Sequence, residues 1–429
     1  MDISDLYQLF LHHPQITTDS RRCPAGSLFF ALRGNHFDGN RFAGKALSAG
    51  ADYAIIDDPD CYQGERTIVV EDTLQTLQCL AQRHRSLLGV PLIGITGTNG
   101  KTTTKELLAA VLSLKFNLLY TEGNLNNQIG LPLTLLRLTR RHEMAVIEMG
   151  ASRPGDIREL TRIACPDYGI ITNVGEAHLE GFGSFENILR TKGELYDYIR
   201  ENRGLVFIRK EDERLRAMAG GIRQLSYGSA DEAFVTGQVV AGDPPFFAFS
   251  WKRAGEQHTV TTRLVGAYNL DNVLAAVAVG CYFEIPAERI CRAIASYEPS
   301  NNRSQLKKTL HNSLIIDAYN ANPSSMKAAL RNFAAMPFAP KALILGDMKE
   351  LGNDSLRLHQ EILREVTNGR FDKVYLCGGH FTQAAAGAFT AYPTTDALAD
   401  ALSQSPPRGF HILLKGSRSM ELEKLIGIL

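Results

Sequence analysis

Short apolar runs separated by stretches of helical spacing recur along most of the chain. The residues from Val90 to Ile95 form one such run. Beyond it, Lys101 to Phe116 repeats apolar residues at helical intervals, at Leu107, Leu108, Val111 and Leu112. Met144–Met149 and Tyr168–Asn173 are further runs, each ending in polar residues and followed by glycine and a helical pattern. A run with no polar face, followed by a helix, predicts a parallel strand covered on both sides. Between residue 84 and about 297 the chain therefore reads as a parallel α/β unit. Within it Phe234–Trp251 and His258–Leu264 alternate, which predicts antiparallel strands added to the sheet.

The same reading gives two further units. Residues 1–83 hold strand-like pieces at Ser27–Leu32 and Tyr53–Ile56, a Gly/Asn-rich loop from Arg33 to Asn40, and a helix from Ala43 to Ala49. From 298 on, Leu314–Asp317, Ala342–Leu345, Lys373–Cys377 and Ile412–Lys415 alternate with helical stretches, as in a dinucleotide-fold-like sheet. Glu298-Pro299-Ser300-Asn301-Asn302 is the linker before it. The expected domains are 1–83, 84–297 and 298–429.

Chemistry concentrates where strands end, because ligands of open parallel sheets bind at the carboxyl edge. After the run at Ile95 comes Thr96-Gly97-Thr98-Asn99-Gly100-Lys101-Thr102-Thr103. Glycines let such a loop turn its N–H groups inward, and the helix that follows adds its positive end. Lys101 can reach terminal phosphates, and the Thr102 hydroxyl can bind Mg²⁺. Ile95 stands where the usual phosphate loop has its first glycine, so the motif is G-x-x-G-K-T. An ordinary turn before a helix would read the same way, but the flanking strand and helix favour a nucleotide.

Glu148, Asn173 and His178 end or follow strands at the same edge as Lys101. A lone strand-end carboxylate or histidine is usually a solvated or satisfied polar group. Beside a phosphate loop, Glu148 and His178 become candidate metal ligands. Lys192 reads either as a surface lysine paired with Glu or as an amine that takes up CO₂, giving a carbamate able to hold a metal. Asn269 and Asn272 precede an Ala-rich helix and read as caps, although an amide can also recognise adenine. Asn322 and Pro323 read as the cap and first turn of another helix. That leaves Asp317 and Asn320 unexplained, and likewise Gly346–Gly352 and the segment Lys415–Arg418.

Composition narrows the classes. The chain has 429 residues, 44% hydrophobic and 21% charged, with formal net charge zero. It shows no basic, aromatic-interleaved patch, which argues against nucleic acid as a partner. No apolar run is long enough for a bilayer span, and the acidic N-terminus lacks the apolar core of a signal peptide. Seven cysteines without paired or metal-like spacing fit reduced thiols in the cytoplasm.

Taken in order, these residues resemble the Mur ligase family over nearly the whole chain. The resemblance is carried by Gly97–Thr102, Gly123–Gly130, Glu148, Asn173–His178, the Lys192 segment and Asn269–Asn272. Asp317–Met326, Leu345–Gly352 with Ser355 and His359, and Lys415–Ser417 resemble the branch that adds a D-alanyl-D-alanine dipeptide. Tyr268 departs from the family's usual histidine. Asn301-Asn302-Arg303 departs from a Gly-Arg pair, but keeps the arginine.

The resemblance implies a three-domain α/β architecture: a small N-terminal α/β module for the UDP-sugar, a central P-loop parallel-sheet domain, and a C-terminal Rossmann-like domain. It implies ATP-dependent joining of D-alanyl-D-alanine to UDP-N-acetylmuramoyl-tripeptide through an acyl phosphate. It further implies ATP contacts from Gly97, Thr98, Asn99, Gly100, Lys101, Thr102, Thr103, Asn272, Arg303 and Asp317. Thr102 and Glu148 would hold a first Mg²⁺; His178 and carbamylated Lys192 would hold a second. Ser20 and Arg21 would lie near UDP, Asn126 and Asn127 along the peptide path, and Asn320, Asn322 and Lys415 near the dipeptide. The catalytic set is Lys101, Glu148, His178 and Lys192. A cytoplasmic monomer, hinged near Glu298–Asn302 and open without ligands, completes the expectation. The alternatives are another Mur-type amino-acid ligase and a P-loop ATPase or nucleotide-sensing module.

Overall fold

A computed structural model describes residues 2–34, 36–300 and 302–429. Met1, Asn35 in the first Gly/Asn-rich loop and Asn301 in the linker lie outside the described residues.

The predicted runs become the strands of three sheets. Near the N-terminus Ile16–Thr17, Ser27–Phe30, Ala51–Ile56 and Thr67–Val69 form a parallel sheet of four in that order. The loop from Arg33 folds back as a small ladder, Arg33–Gly34 against Phe37–Asp38. A single helix, Thr73–Leu88, then leads toward the central sheet.

That sheet has nine strands. From one edge they are Leu118–Tyr120, Met144–Glu148, Leu92–Thr96, Tyr168–Ile171, Leu205–Arg209, Arg223–Gly228 and Val235–Val240, all parallel. Phe246–Arg253 and Glu256–Val265 extend it antiparallel, as the alternation predicted. Leu92 and Ile147 face one core while Ile93 and Val146 face the other. Burial on both faces is why these runs lack a polar alternate. The strand Leu92–Thr96 has Met144–Glu148 on one side and Tyr168–Ile171 on the other. Chain order therefore reverses beside it, which opens a crevice at its carboxyl end.

The C-terminal sheet runs Gln305–Lys308, Ser313–Asp317, His411–Lys415, Lys341–Gly346, Lys373–Cys377 and Ala391–Tyr392, parallel except for its first strand. Its strands also split their side chains between two cores, with Leu343 and Leu345 on one side and Ala342 and Ile344 on the other.

Two local expectations change. The helix from Lys101 ends at Leu112, and Ser113–Phe116 close it in tight turns. Asn269 holds the N-cap position of its helix but makes no side-chain capping bond, and Asn272 lies within the helix. Asn269 has helical dihedrals and donates to Val265 and Gly266 carbonyls instead, so its amide stabilises the incoming turn. Among the described residues no helix is long and apolar enough to cross a membrane. All seven cysteines are free.

Candidate active site

The phosphate loop is built on backbone conformations that side chains resist. Gly97 has φ +140° and Gly100 φ +79°. A Cβ on Gly97 would lie 2.0 Å from Thr172 Oγ1, and one on Gly100 would lie 2.5 Å from Asn272 Oδ1. Neighbouring strand ends then hold the loop. Thr98 N–H donates to Asn173 O (2.9 Å), Asn99 N–H to Asn173 Oδ1 (3.0 Å), and Thr172 Oγ1 to Asn99 O (2.6 Å).

Lys101 folds over this loop, donating to Gly97 O (2.8 Å) and Thr98 O (3.1 Å). Burial pulls its pKa down; Glu148 opposes that shift and Arg303 adds to it. Glu148 offsets that burial only in part, so the cation is short of negative charge, which is what a phosphate supplies. One residue on, Thr102 Oγ1 donates to Glu148 Oε2 (2.8 Å), and Asn126 Nδ2 donates to Glu148 Oε1 (2.8 Å). Glu148 is 1% exposed. A hydroxyl and a carboxylate at one point form an all-oxygen donor set, which fits Mg²⁺.

The C-terminal unit supplies the facing wall. Asn322 caps the helix Pro323–Ala335 by accepting Ser325 N–H, and Ser325 returns the bond in a capping box. The same Asn322 donates Nδ2–H to Asn99 Oδ1 (2.8 Å), and Asn99 Nδ2 donates to Ser324 Oγ (2.9 Å). The loop tip and the helix start thus meet directly. Nearby, His178 pairs with Glu350, which holds that carboxyl below its ordinary value. Arg303 lies 3.8 Å over the Tyr319 ring, and Lys415 pairs with Asp317.

These residues enclose one cavity of about 610 Å³. Among the expected site residues its lining includes Thr98–Thr103, Asn126, Asn127, Glu148, His178 and Asn272 from the central unit. Arg303, Asp317, Asn320, Asn322 and Lys415 line it from the C-terminal one. Gly97, at the start of the loop, does not line the cavity. Asn272 accepts from Thr104 and donates to Asn269, so part of its amide is engaged inside the protein.

Lys192 is brought close but not in. It is buried on the helix Phe185–Glu201, its ammonium 5.8 Å over the Phe182 ring, and it does not line the cavity. Burial, then the nearby Lys101 charge, lowers its pKa well below the usual lysine value. Among the described residues no three His, Cys, Asp or Glu side chains gather around one point. The Thr102–Glu148 pair is thus the better-formed metal position. Ser20 and Arg21 also stand apart from the cavity. Arg21 chelates Asp19 (2.9 and 3.0 Å), pulling that carboxyl down to about 2.

Several lining residues were given no site role of their own from the sequence. Asp156, 4% exposed, accepts from Ser152 and Arg153 N–H and from Gln128. Asp271 pairs with Arg209 (2.9 Å), and Tyr268 shares a hydrogen bond with Ser304 (3.0 Å). The partners of Asp271 and Tyr268 are far along the chain, so no local spacing announces them; Asp156 is held mostly by near neighbours at the start of its own helix. Tyr319 and Ser324 fall inside Asp317–Met326, Glu350 inside Gly346–Gly352 and Arg418 inside Lys415–Arg418, segments the sequence had already singled out, and that was their signal.

A sheet with this switch point, carrying a phosphate loop that faces a dinucleotide-fold-like unit, defines a class of nucleotide-dependent ligase, and the chain belongs to the Mur ligase family. Family models for the Mur ligase family catalytic domain, the Mur ligase middle domain and the Mur ligase glutamate ligase domain match residues 13–85, 95–280 and 302–418. It is 36% identical over 423 residues to the UDP-N-acetylmuramoyl-tripeptide–D-alanyl-D-alanine ligase of Bacillus subtilis, covering 96% of this chain and 92% of that one. The Escherichia coli protein of the same name is 32% identical with the same coverage. Among solved structures, MurF from Acinetobacter baumannii superposes with TM-score 0.88 at 30% identity, covering 96% and 92% of the two chains. MurF ligase from Thermotoga maritima in complex with ADP gives 0.86 at 27%, covering 97% of each.

Proposed function

We propose that this chain joins D-alanyl-D-alanine to UDP-N-acetylmuramoyl-tripeptide at the expense of ATP, forming the pentapeptide precursor of peptidoglycan. The observation that carries this reading is the single cavity in which the phosphate loop, the Thr102–Glu148 pair and the polar start of the helix at Asn322 face one another. One wall handles phosphate charge, and the other is a separate polar surface of the kind a second substrate needs.

A carboxylate is a poor acyl donor. Its oxygen attacks the γ-phosphorus, the bond to the bridging oxygen breaks, and ADP leaves an acyl phosphate behind. The dipeptide amine then attacks the acyl carbon, the carbon–oxygen bond to phosphate breaks, and the amine sheds a proton. Lys101 and the loop N–H groups hold the phosphates in line. Mg²⁺, when bound at Thr102 and Glu148, supplies positive charge against the converging anions. Closing the two walls keeps water from the acyl phosphate.

The finer assignments belong to the same proposal. Residues 1–83 bind the UDP-sugar, with Ser20 and Arg21 toward UDP; 84–297 bind ATP; 298–429 take the dipeptide and complete the nucleotide site. Gly97–Thr103, Asn272, Arg303 and Asp317 contact ATP. Asn126 and Asn127 follow the muramoyl peptide, and Asn320, Asn322 and Lys415 the dipeptide. A second Mg²⁺ near His178 requires Lys192 to be carbamylated, since an ammonium repels a cation. The depressed Lys192 pKa supports that chemistry, because only the free amine adds CO₂. The protein acts as a cytoplasmic monomer.

The test is isotopic. With ¹⁸O in the terminal carboxylate of the tripeptide, one labelled oxygen should appear in released phosphate. Unlabelled phosphate would contradict the acyl-phosphate route.

A further inference from the structure

Lys105 is a lysine that the proposed chemistry leaves without a task, and it is fully buried. It stands one helical turn after Lys101 on the helix Lys101–Leu112. The two diverge: Lys101 lines the cavity, whereas Lys105 does not. Burying an ammonium is expensive unless its N–H groups are satisfied, and here they are. Lys105 Nζ donates to Thr121 O at 2.6 Å, meets Glu106 Oε1 at 2.6 Å, and lies 5.5 Å over the Tyr120 ring.

Thr121 is where this cation acts. It is fully buried and held at two further points: its N–H donates to Val146 O (3.1 Å), and its Oγ1 accepts Glu148 N–H (2.9 Å). From Thr121 the chain loops to Asn126. Asn126 Nδ2 donates to the Glu148 carboxylate (2.8 Å), and its carbonyl accepts Gly150 N–H (2.7 Å). The loop 121–126 therefore embraces the strand end that carries Glu148. It grips the backbone through Thr121 and the carboxylate through Asn126, and Lys105 pins its first residue.

We propose that Lys105 is a positioning residue for the metal-binding carboxylate, acting through Thr121 to fix Glu148 and Asn126 in the geometry that accepts Mg²⁺. The inference rests on the ATP–Mg²⁺ reading of the Thr102–Glu148 pair. Mg²⁺ demands near-octahedral ligands at short distance, so a small displacement of one carboxylate weakens it. Groups that orient a ligand from behind typically change metal affinity by about 10-fold to 100-fold when removed.

The experiment uses the full chain with Lys105→Met, Thr121→Val and the double variant. Thr121→Val keeps the carbonyl that Lys105 holds and removes only the acceptor for Glu148 N–H, so it remains informative if Lys105→Met folds poorly. Two readouts are taken: calorimetric Mg²⁺ titration in the presence of a non-hydrolysable ATP analogue, and amide hydrogen exchange of the metal-free protein. Each single variant should raise the Mg²⁺ concentration at half-saturation about 10-fold, and the double variant no further than the larger single effect. Exchange should quicken at residues 121–126 and at Glu148 without metal present. An unchanged Mg²⁺ midpoint in both single variants, with only a lowered unfolding temperature, would make Lys105 a packing residue and overturn the proposal. Nucleotide binding by the unsubstituted protein that ignores Mg²⁺ would overturn the metal reading itself, and this inference with it.

Discussion

The two walls of the cavity are held in different ways. On the central side Glu148 receives Thr102 and Asn126, its backbone is tied to Thr121, and the loop above is bound to Thr172 and Asn173. These bonds lie within one sheet and its loops. On the C-terminal side, the crossing contacts described above are Asn322 and Ser324 on Asn99, Glu350 on His178, and Ser304 on Tyr268. Such side-chain bonds contribute about 1 kcal/mol each, which is small enough to break and remake on every cycle. The wall that stabilises charge is rigid and pre-set, because reorganising dipoles during reaction is costly. The wall that brings the acceptor is attached through contacts that can open.

Substitutions that strike the rigid wall should cost most. Lys101→Met should lower kcat about 10²–10³-fold, with no loss of unfolding temperature, because a buried ammonium is removed. A fall in stability matching the fall in rate would contradict that division. The movable wall should yield smaller effects. Ser324→Ala removes only crossing and local bonds and should lower dipeptide-dependent turnover about 5-fold, the equivalent of about 1 kcal/mol. Asn322→Ala also removes a helix cap, so it should add a stability loss of about 0.5–2 kcal/mol. Equal stability of the two variants would show that the cap and the crossing contact are not separate roles.

Opening can be seen directly. Small-angle scattering should show a more extended particle without ligands than with nucleotide and muramoyl substrate. Superimposable curves would mean that the C-terminal wall is as fixed as the central one.

The last effect is electrostatic and is read in stability rather than in rate. The folded pKa of Lys192 lies well below its ordinary 10.5, so between those two values the unfolded chain binds the proton and the folded one does not. Stability contributed by this site therefore rises with pH through that window and levels off above it. In carbonate-free buffer Lys192→Met should raise the unfolding temperature at neutral pH and flatten the rise toward pH 9. An identical pH slope in variant and parent would show that Lys192 carries no such penalty.

What was legible in the chain follows the range of each interaction. The strand, Gly97, Gly100, Lys101 and Thr102 lie within a dozen residues, and local physics demands each of them. Glu148 and His178 were legible because parallel strands deliver their ends to one edge. Asn322 was half legible: its cap is local, whereas its bond to Asn99 spans the chain. Asn269 was misjudged because an asparagine before a helix looks like a cap, and only the fold shows its amide turned to Val265 and Gly266. Lys105 was invisible because a lysine in a helix reads as solvated until a strand end is placed over it. Arg21 remains a local pair with Asp19, and nothing in the fold carries it or Ser20 to the cavity.

The reading as a whole turns on one measurement: ADP release with UDP-muramoyl-tripeptide and Mg²⁺, with and without D-alanyl-D-alanine, followed by mass spectrometry of the nucleotide-sugar product. The two walls predict turnover that requires the dipeptide and a product heavier by one dipeptide less one water. ADP release at the same rate without dipeptide, and no mass gain, would contradict it and leave a nucleotide hydrolase in its place.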